Sequence, residues 1–216
     1  MSLNKKCLKN CRVYLILDTE VHRYAKLFEI ARQSIQARLP DGQAGVDIIQ
    51  LRDKNGLAKD VLKFSRQVLR LTEGNVPLII NDRVDVAILS GADGVHLGQG
   101  DIPLKEAREM MGSKAVIGVS CQTLQHAQKA QREGADYIGF GSVFKTLTKP
   151  KRSPMDLNLL KEVIKKIHIP VFAIGGINLD NVRQLKEMGV ERFAVCRAIC
   201  EAENVREVVR EFKLRG

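Results

Sequence analysis

Short apolar runs alternate with longer amphipathic segments along the whole chain. Each run is four to six residues long and rich in Val, Ile, Leu or Phe, which is typical of a strand buried on both faces. Eight such runs occur, at residues 13–17, 46–51, 76–80, 94–97, 115–119, 137–140, 170–174 and 192–195. The segments between them repeat apolar residues at helical spacing, for example at positions 24–35, 57–71 and 205–212, and these stripes indicate helix faces that pack on a core.

A strand followed by a helix, eight times over, predicts parallel strands joined by helical crossovers. Eight such units close into a (β/α)₈ TIM barrel, an α/β fold. We expect residues 1–216 to form this single domain, with residues 1–11 as an N-terminal extension. An open doubly wound sheet is the alternative, but that fold usually carries a glycine-rich fingerprint after its first strand. The first strand here ends in Leu15-Ile-Leu-Asp-Thr-Glu20, without glycine, which favours the barrel.

Composition narrows the class of partner. The chain has 216 residues, of which 44% are hydrophobic and 28% charged, as in soluble single domains. Its net charge of +10 is spread along the chain, and 5% of residues are aromatic, so a stacking platform for nucleic acid is poorly supplied. No apolar run approaches the length of a membrane helix. The start, Met1-Ser-Leu-Asn-Lys-Lys6, lacks the apolar core of a signal peptide. We therefore expect a cytoplasmic protein that contacts neither membrane nor nucleic acid.

The cysteine count is odd, which argues against a disulfide framework. Two pairs are spaced i, i+4, and that spacing differs from the usual zinc knuckle. Buried thiols are favoured over a zinc site for the five cysteines, Cys7, Cys11, Cys121, Cys196 and Cys200.

Charged residues follow several of the runs, at the strand ends where a barrel places its active site. Asp82 closes the third run and Asp101 follows the fourth, while Arg52 and Lys54 follow the second and Lys149 lies beyond the sixth. A carboxylate pair within a ring of cations is the composition expected around a magnesium-bound polyphosphate. Each aspartate taken alone could instead be a helix N-cap.

The last two runs indicate a phosphate site. The seventh ends in Ala173-Ile-Gly-Gly-Ile177, and the eighth ends at Cys196 before a predicted short helix at 197–202. Loops after the seventh and eighth strands form the common phosphate site of this fold. The longest irregular stretch, 141–154, follows the sixth run and is expected to be functional or mobile. His96 alternates with apolar neighbours, so it points into the barrel either as a satisfied core histidine or as a substrate contact.

Together these residues resemble one family, thiamine-phosphate synthase, a small (β/α)₈ enzyme. The resemblance runs from about residue 13 to residue 212. It is carried by Gln50-Leu-Arg-Asp-Lys54, Asn81-Asp82, Gly94-Val-His-Leu-Gly-Gln-Gly-Asp101, Gly118-Val-Ser120, Thr146-Leu-Thr-Lys149 and Ile174-Gly-Gly-Ile177.

The resemblance implies a transferase that joins hydroxymethylpyrimidine diphosphate to a thiazole phosphate, with Mg²⁺, and releases pyrophosphate by a dissociative mechanism. By position, Asp82 and Asp101 would bind the metal, and Lys149, Arg52 and Ser120 would be catalytic. The pyrimidine diphosphate would be held by Gln50, Leu51, Arg52, Asp53, Lys54, Asn81, Ser120 and Lys149. The thiazole phosphate would be held by Thr146, Leu147, Thr148, Gly176, Cys196 and Arg197. The sequence leaves monomer and homodimer open.

The sequence departs from the family pattern at a few positions. Ser142 and Lys145 stand where the family usually has proline, Gln122 where it often has histidine, and Cys196-Arg197 where it commonly has a pair with serine. A related thiazole tautomerase is the nearest rival, but it uses a histidine after the sixth strand and lacks the paired aspartates. A non-catalytic binder of phosphate ligands, or of nucleic acid, is the rival from another class.

Overall fold

The computed structural model describes residues 5–37, 39, 45–147 and 153–215, with side chains from residue 8 onward. A short 3₁₀ helix, Lys5–Asn10, comes first. The strands that follow are β1 (Val13–Asp18), β2 (Ile48–Arg52), β3 (Leu78–Asn81), β4 (Gly94–Leu97), β5 (Val116–Cys121), β6 (Tyr137–Phe140), β7 (Val171–Ile174) and β8 (Phe193–Val195). The helices are α1 (Tyr24–Gln36), α2 (Ala58–Thr72), α3 (Val84–Ser90), α4 (Leu104–Met111), α5 (Leu124–Arg132), α6 (Leu157–Lys166), α7 (Val182–Glu187), α8 (Arg197–Cys200) and α9 (Val205–Arg215).

The strands close into a barrel in chain order, each parallel to its neighbours, with β8 pairing back onto β1. The predicted (β/α)₈ fold is confirmed, because every predicted run overlaps one of the eight strands. Boundaries shift by one or two residues: β2 begins at Ile48 rather than at residue 46. The helix face predicted at 57–71 was placed one residue too early, because α2 begins after Leu57 and the Leu57 side chain is 62% exposed. No helix among the described residues is long and apolar enough to cross a membrane.

Two apolar layers result from the alternation of side chains along each strand. One set of strand residues faces outward and packs with the helices, as Leu15, Leu51 and Ile80 do. The other set faces the barrel interior and forms a second cluster, with Tyr14, Tyr137 and Phe172 among the largest members. Strand residues are buried on both faces for this reason, as the continuous apolar runs predict.

The N-terminal segment fills one end of the barrel. Leu8 is 1% exposed and Cys11 is 7% exposed, and both belong to the interior cluster. Leu8 and Cys11, from the segment expected as an extension, therefore contribute to the core. The other end of the barrel, at the carboxyl ends of the strands, holds the polar residues.

Candidate active site

A cavity of about 740 Å³ lies at the carboxyl ends of the strands. Strand ends and the loops that follow them supply its walls, as expected for this fold. The cavity brings together these predicted site residues: Gln50, Arg52, Asn81, Ser120, Thr146, Leu147, Gly176, Cys196 and Arg197.

The two predicted metal ligands lie side by side at the rim. Asp101 accepts a hydrogen bond of 2.7 Å from the backbone N–H of Gly98, and Asp82 pairs with the ammonium group of Lys54. Burial raises the pKa of the Asp101 carboxyl, and the neighbouring Asp82 carboxylate raises it further. These three side chains are not in the cavity wall, but Asp82 directly follows Asn81, which lines the cavity. The rim thus holds two mutually repelling carboxylates beside one cation.

The helix-cap alternative for these aspartates is wrong. Helix α3 begins after Arg83 and α4 begins after Pro103, and neither helix start has a side-chain cap. Asp82 instead adopts a left-handed backbone conformation, with φ of 62°. That conformation costs a non-glycine residue about 1 kcal/mol. Strain of this kind clusters at functional sites, which agrees with a role at the rim.

Arg52 is held in place by carboxylates on the neighbouring strand and loop. Its Nη1 lies 2.9 and 2.8 Å from the two carboxylate oxygens of Asp18 and 3.1 Å from Glu20. Asp18 and Arg52 are partners in the β1–β2 register, and Asp18 is fully buried. All of these contacts use Nη1, which leaves Nε and Nη2 to donate to a ligand in the cavity.

Two buried donors in the cavity wall have no hydrogen-bond partner among the described residues. They are Nδ2 of Asn81 and Nε of Arg197. A buried donor without an acceptor costs about 1–3 kcal/mol. Arg197 also forms an ion pair with Glu201 through Nη1. Ligand oxygens in the cavity would satisfy both donors.

A chain of hydrogen bonds crosses the barrel interior beneath the cavity. Gln50 Nε2 donates to the Tyr14 hydroxyl over 2.8 Å, and that hydroxyl lies 2.7 Å from the Tyr137 hydroxyl. Tyr137 lies 3.0 Å from Nδ1 of His96, whose Nε2 lies 2.9 Å from the Ser120 hydroxyl. Burial raises the pKa of both tyrosines, so both keep their protons. The sequence left His96 open as either a core residue or a substrate contact. In the structure, His96 belongs to this series of hydrogen bonds and also lines the cavity.

Glycines shape the opposite wall. Gly175 and Gly176 have φ of 102° and 68°, a region that glycine adopts without strain. A Cβ at Gly175 would lie 2.6 Å from Cβ of Ser142, and one at Gly176 would overlap the carbonyl oxygen of Lys145. Backbone N–H groups of 143 and 144 bond to the carbonyls of 174 and 175 over 2.9 and 3.0 Å. The loop after β6 therefore packs directly on the end of β7, because no side chains separate them.

Two further predicted site residues, Leu51 and Asp53, also lie outside the cavity wall. The Leu51 side chain is 1% exposed and packs in the outward layer. Asp53 accepts hydrogen bonds of 2.5 Å from Tyr24, 3.1 Å from the N–H of residue 55 and 2.6 Å from that of residue 56. Its carboxylate therefore stabilises the loop after β2. Thr148 and Lys149 lie outside the described residues, so their roles stay predictions.

Three residues of the site were not predicted from the sequence, namely Asp18, Tyr14 and Tyr137. Asp18 follows the first apolar run, at the same strand-end position that singled out Asp82, so the strand-end rule could have found it. Tyr14 lies four residues before Asp18 and so shares its strand face. Tyr137 pairs with Gly118 in the β5–β6 register, which the sequence alone did not show.

A closed (β/α)₈ barrel with charged side chains and glycine loops around a cavity at the carboxyl ends of its strands is the architecture of a barrel enzyme. The chain belongs to the thiamine monophosphate synthase family, whose family model matches residues 13–199.

Relatives of known name agree. The thiamine-phosphate synthase of Methanobrevibacter smithii is 43% identical over 179 residues, which cover 81% of this chain and 86% of that one. The thiamine-phosphate synthase of Clostridioides difficile is 36% identical over 215 residues, or 99% of each chain. A solved structure of thiamine phosphate pyrophosphorylase from Pyrococcus furiosus matches with a TM-score of 0.84 and 33% identity, and covers 96% of each chain.

Proposed function

We propose that this protein joins hydroxymethylpyrimidine diphosphate to a thiazole phosphate, forming thiamine phosphate and releasing pyrophosphate. The observation that carries the proposal is the Asp82–Asp101 pair beside Lys54, next to a cavity with Arg52 in its wall. A diphosphate needs cations around it, and the aspartates need a cation between them. A Mg²⁺ ion bound between the aspartates and the diphosphate would meet both needs.

The rim fits Mg²⁺, and we propose that Asp82 and Asp101 hold it. Burial raises the pKa of Asp101 and the neighbouring Asp82 carboxylate adds to the rise, and a divalent cation between the two carboxylates would relieve their repulsion. Magnesium prefers one or two carboxylates, with substrate oxygens and water in its other positions. When bound, the ion neutralises negative charge on the departing pyrophosphate.

The chain's own donors complete the diphosphate site. Arg52 offers Nε and Nη2, Asn81 offers its unpartnered Nδ2, and Lys54 offers its ammonium group. These groups stabilise the charge that collects on the leaving group as the methylene C–O bond breaks. The electron pair leaves with pyrophosphate, and the thiazole nitrogen lone pair then forms the new C–N bond. These two steps need no strong base, because no proton is removed as the C–O bond breaks or as the C–N bond forms.

For the thiazole phosphate we propose the wall made by the loops after β6, β7 and β8. Gly176 lets the backbone approach an anion closely, and Arg197 has a buried Nε without a partner. Thr146, Leu147 and Cys196 line the same wall. The thiazole tautomerase alternative has less support, because Ser142 stands where that family has histidine and both aspartates are kept.

A two-substrate assay tests the proposal. Purified protein with pyrimidine diphosphate, thiazole phosphate and Mg²⁺ should release pyrophosphate and form thiamine phosphate in equal amounts. Each substrate is then omitted in turn. Pyrophosphate release without the thiazole would indicate a hydrolase, and thiazole isomerisation without the pyrimidine would indicate a tautomerase. Folded protein that yields no product would overturn the proposal and favour a binding protein.

A further inference from the structure

The hydrogen-bonded chain from Gln50 to Ser120 has a direction. The amide nitrogen of Gln50 can only donate, so the Tyr14 oxygen accepts there. Each phenol has a single proton, and both tyrosines are buried, at 1% and 0% exposed. Each proton therefore has to go to a partner within the chain.

The direction propagates from one end to the other. Tyr14 cannot donate to the Gln50 nitrogen, so its proton points to the Tyr137 oxygen. Tyr137 then has to donate to Nδ1 of His96, which makes Nδ1 the unprotonated nitrogen of a neutral ring. The ring proton is on Nε2 and is donated to Ser120. The Ser120 proton is left to point into the cavity.

The two ends of the chain consequently present opposite groups to a ligand. Ser120 offers an O–H donor, and Gln50 offers its Oε1 acceptor because its nitrogen is held by Tyr14. Reversal would require the Gln50 amide to rotate and every proton between the ends to move together. The polarity at one end is thus coupled to the polarity at the other.

We propose that Tyr14, Tyr137 and His96 are positioning residues that make the cavity select an amino-substituted pyrimidine over its oxo counterpart. This inference rests on the proposed function. The diphosphate oxygens are acceptors in both ligands, so either ligand can match the Ser120 donor. An amino group donates to Gln50 Oε1, whereas a ring carbonyl at the same position meets another acceptor and is rejected.

Packing around the two tyrosine rings holds their hydroxyl groups in position for these hydrogen bonds. Both rings pack edge-on against Phe172, with centroid distances of 5.3 Å from Tyr14 and 5.5 Å from Tyr137. A Cβ at Gly118 would overlap the Tyr137 ring. Glycine at that position gives the ring the space that places its hydroxyl between Tyr14 and His96.

Competition between two substrates tests the selectivity. The amino pyrimidine diphosphate and its oxo analogue are mixed with thiazole phosphate, and the ratio of their kcat/KM values is read from the two products. Tyr14→Phe keeps the ring but frees the Gln50 amide, so we expect the amino-to-oxo ratio to fall about tenfold, the value of one hydrogen bond. Tyr24→Phe removes a tyrosine hydroxyl outside the barrel interior and should leave the ratio unchanged. A folded Tyr14→Phe protein with the wild-type ratio would overturn the proposal.

A spectroscopic readout separates this inference from the proposed function. Long-range ¹H–¹⁵N NMR of the ¹⁵N-labelled wild-type protein reads the tautomer of each of the four histidines, and His96→Gln identifies the His96 signal. The inferred direction requires the neutral ring with its proton on Nε2. A proton on Nδ1, or on both nitrogens, contradicts it whether or not the protein turns over substrate. The expected tautomer in a protein without synthase activity would instead count against the proposed reaction alone.

Discussion

The two sides of the cavity are built in different ways. On the side of β1 to β4, the site consists of long charged side chains such as Arg52, Lys54 and Asp82. On the side of β6 to β8, backbone brought close by Gly175 and Gly176 forms part of the wall, next to side chains such as Arg197. Charged groups act over several ångströms and tolerate small shifts, whereas a backbone wall is set by contact and tolerates none. Substitutions should therefore change chemistry on the first side and shape on the second.

The largest effect is expected from the rim carboxylates. Asp82→Asn and Asp101→Asn each remove a proposed metal ligand, and we expect the loss of several kcal/mol of charge stabilisation to lower kcat about a thousandfold. Asp85→Asn is the matched control, because Asp85 is an exposed aspartate of α3 that pairs with Arg83. Steady-state kinetics across a Mg²⁺ titration give the result. Wild-type kcat in both rim variants would remove these residues from the metal site.

Arg52→Lys is expected to have the next largest effect. Lysine cannot keep the contacts to Asp18 and also donate into the cavity. We expect KM for the pyrimidine diphosphate to rise about a hundredfold, from the loss of a charge-assisted hydrogen bond. KM for the thiazole phosphate should change much less. Arg32→Lys, on the exposed face of α1, serves as the control, and equal rises in both KM values would contradict the division between the two sides.

Gly176→Ala probes the backbone side. The new methyl group would overlap the carbonyl of Lys145, at a left-handed φ of 68°. Gly189→Ala has a similar φ of 89° with nothing near the new methyl group, so it measures the conformational cost alone. Denaturant unfolding should show Gly176→Ala about 1–2 kcal/mol less stable than Gly189→Ala, with weaker thiazole-phosphate binding. Equal stabilities would mean that the loop after β6 moves away without cost.

Asp53→Asn is expected to have the smallest effect and refines the charged side. Burial raises the pKa of Asp53, but the hydrogen bonds from Tyr24 and the loop N–H groups outweigh burial and lower it below 3.8. A lowered pKa stabilises the fold above the ordinary value, and that contribution is lost as the pH falls through the folded pKa. Thermal unfolding at neutral pH should show a loss of about 1 kcal/mol. The loss should shrink below about pH 4, and a loss that grows in acid would contradict the assignment.

Much of the fold was predictable, because the pattern of eight buried runs depends only on which residues avoid water. The meeting of Asp82 and Asp101 was predictable too, since consecutive strand ends are neighbours in a barrel. The Asp18–Arg52 pair was missed, although the β1–β2 register that aligns the two residues follows from the fold. The left-handed φ of Asp82 was beyond prediction, because it depends on the whole rim. The cap hypothesis failed for a local reason: both helices begin later than the aspartates suggested.

The filled interior of the barrel limits how ligands can enter and leave the cavity. Tyr14, Tyr137 and Phe172 fill the interior below the cavity, and Leu8 and Cys11 close it further down. In the part of the chain that the structure describes, molecules therefore enter and leave on the same side. A ring seated on Gln50 and Ser120 would lie at the closed end of this path, so it would pass the rim both to enter and to leave. Within the described residues the cavity thus has a single opening, and the depth at which a molecule lies sets the length of its path to solvent.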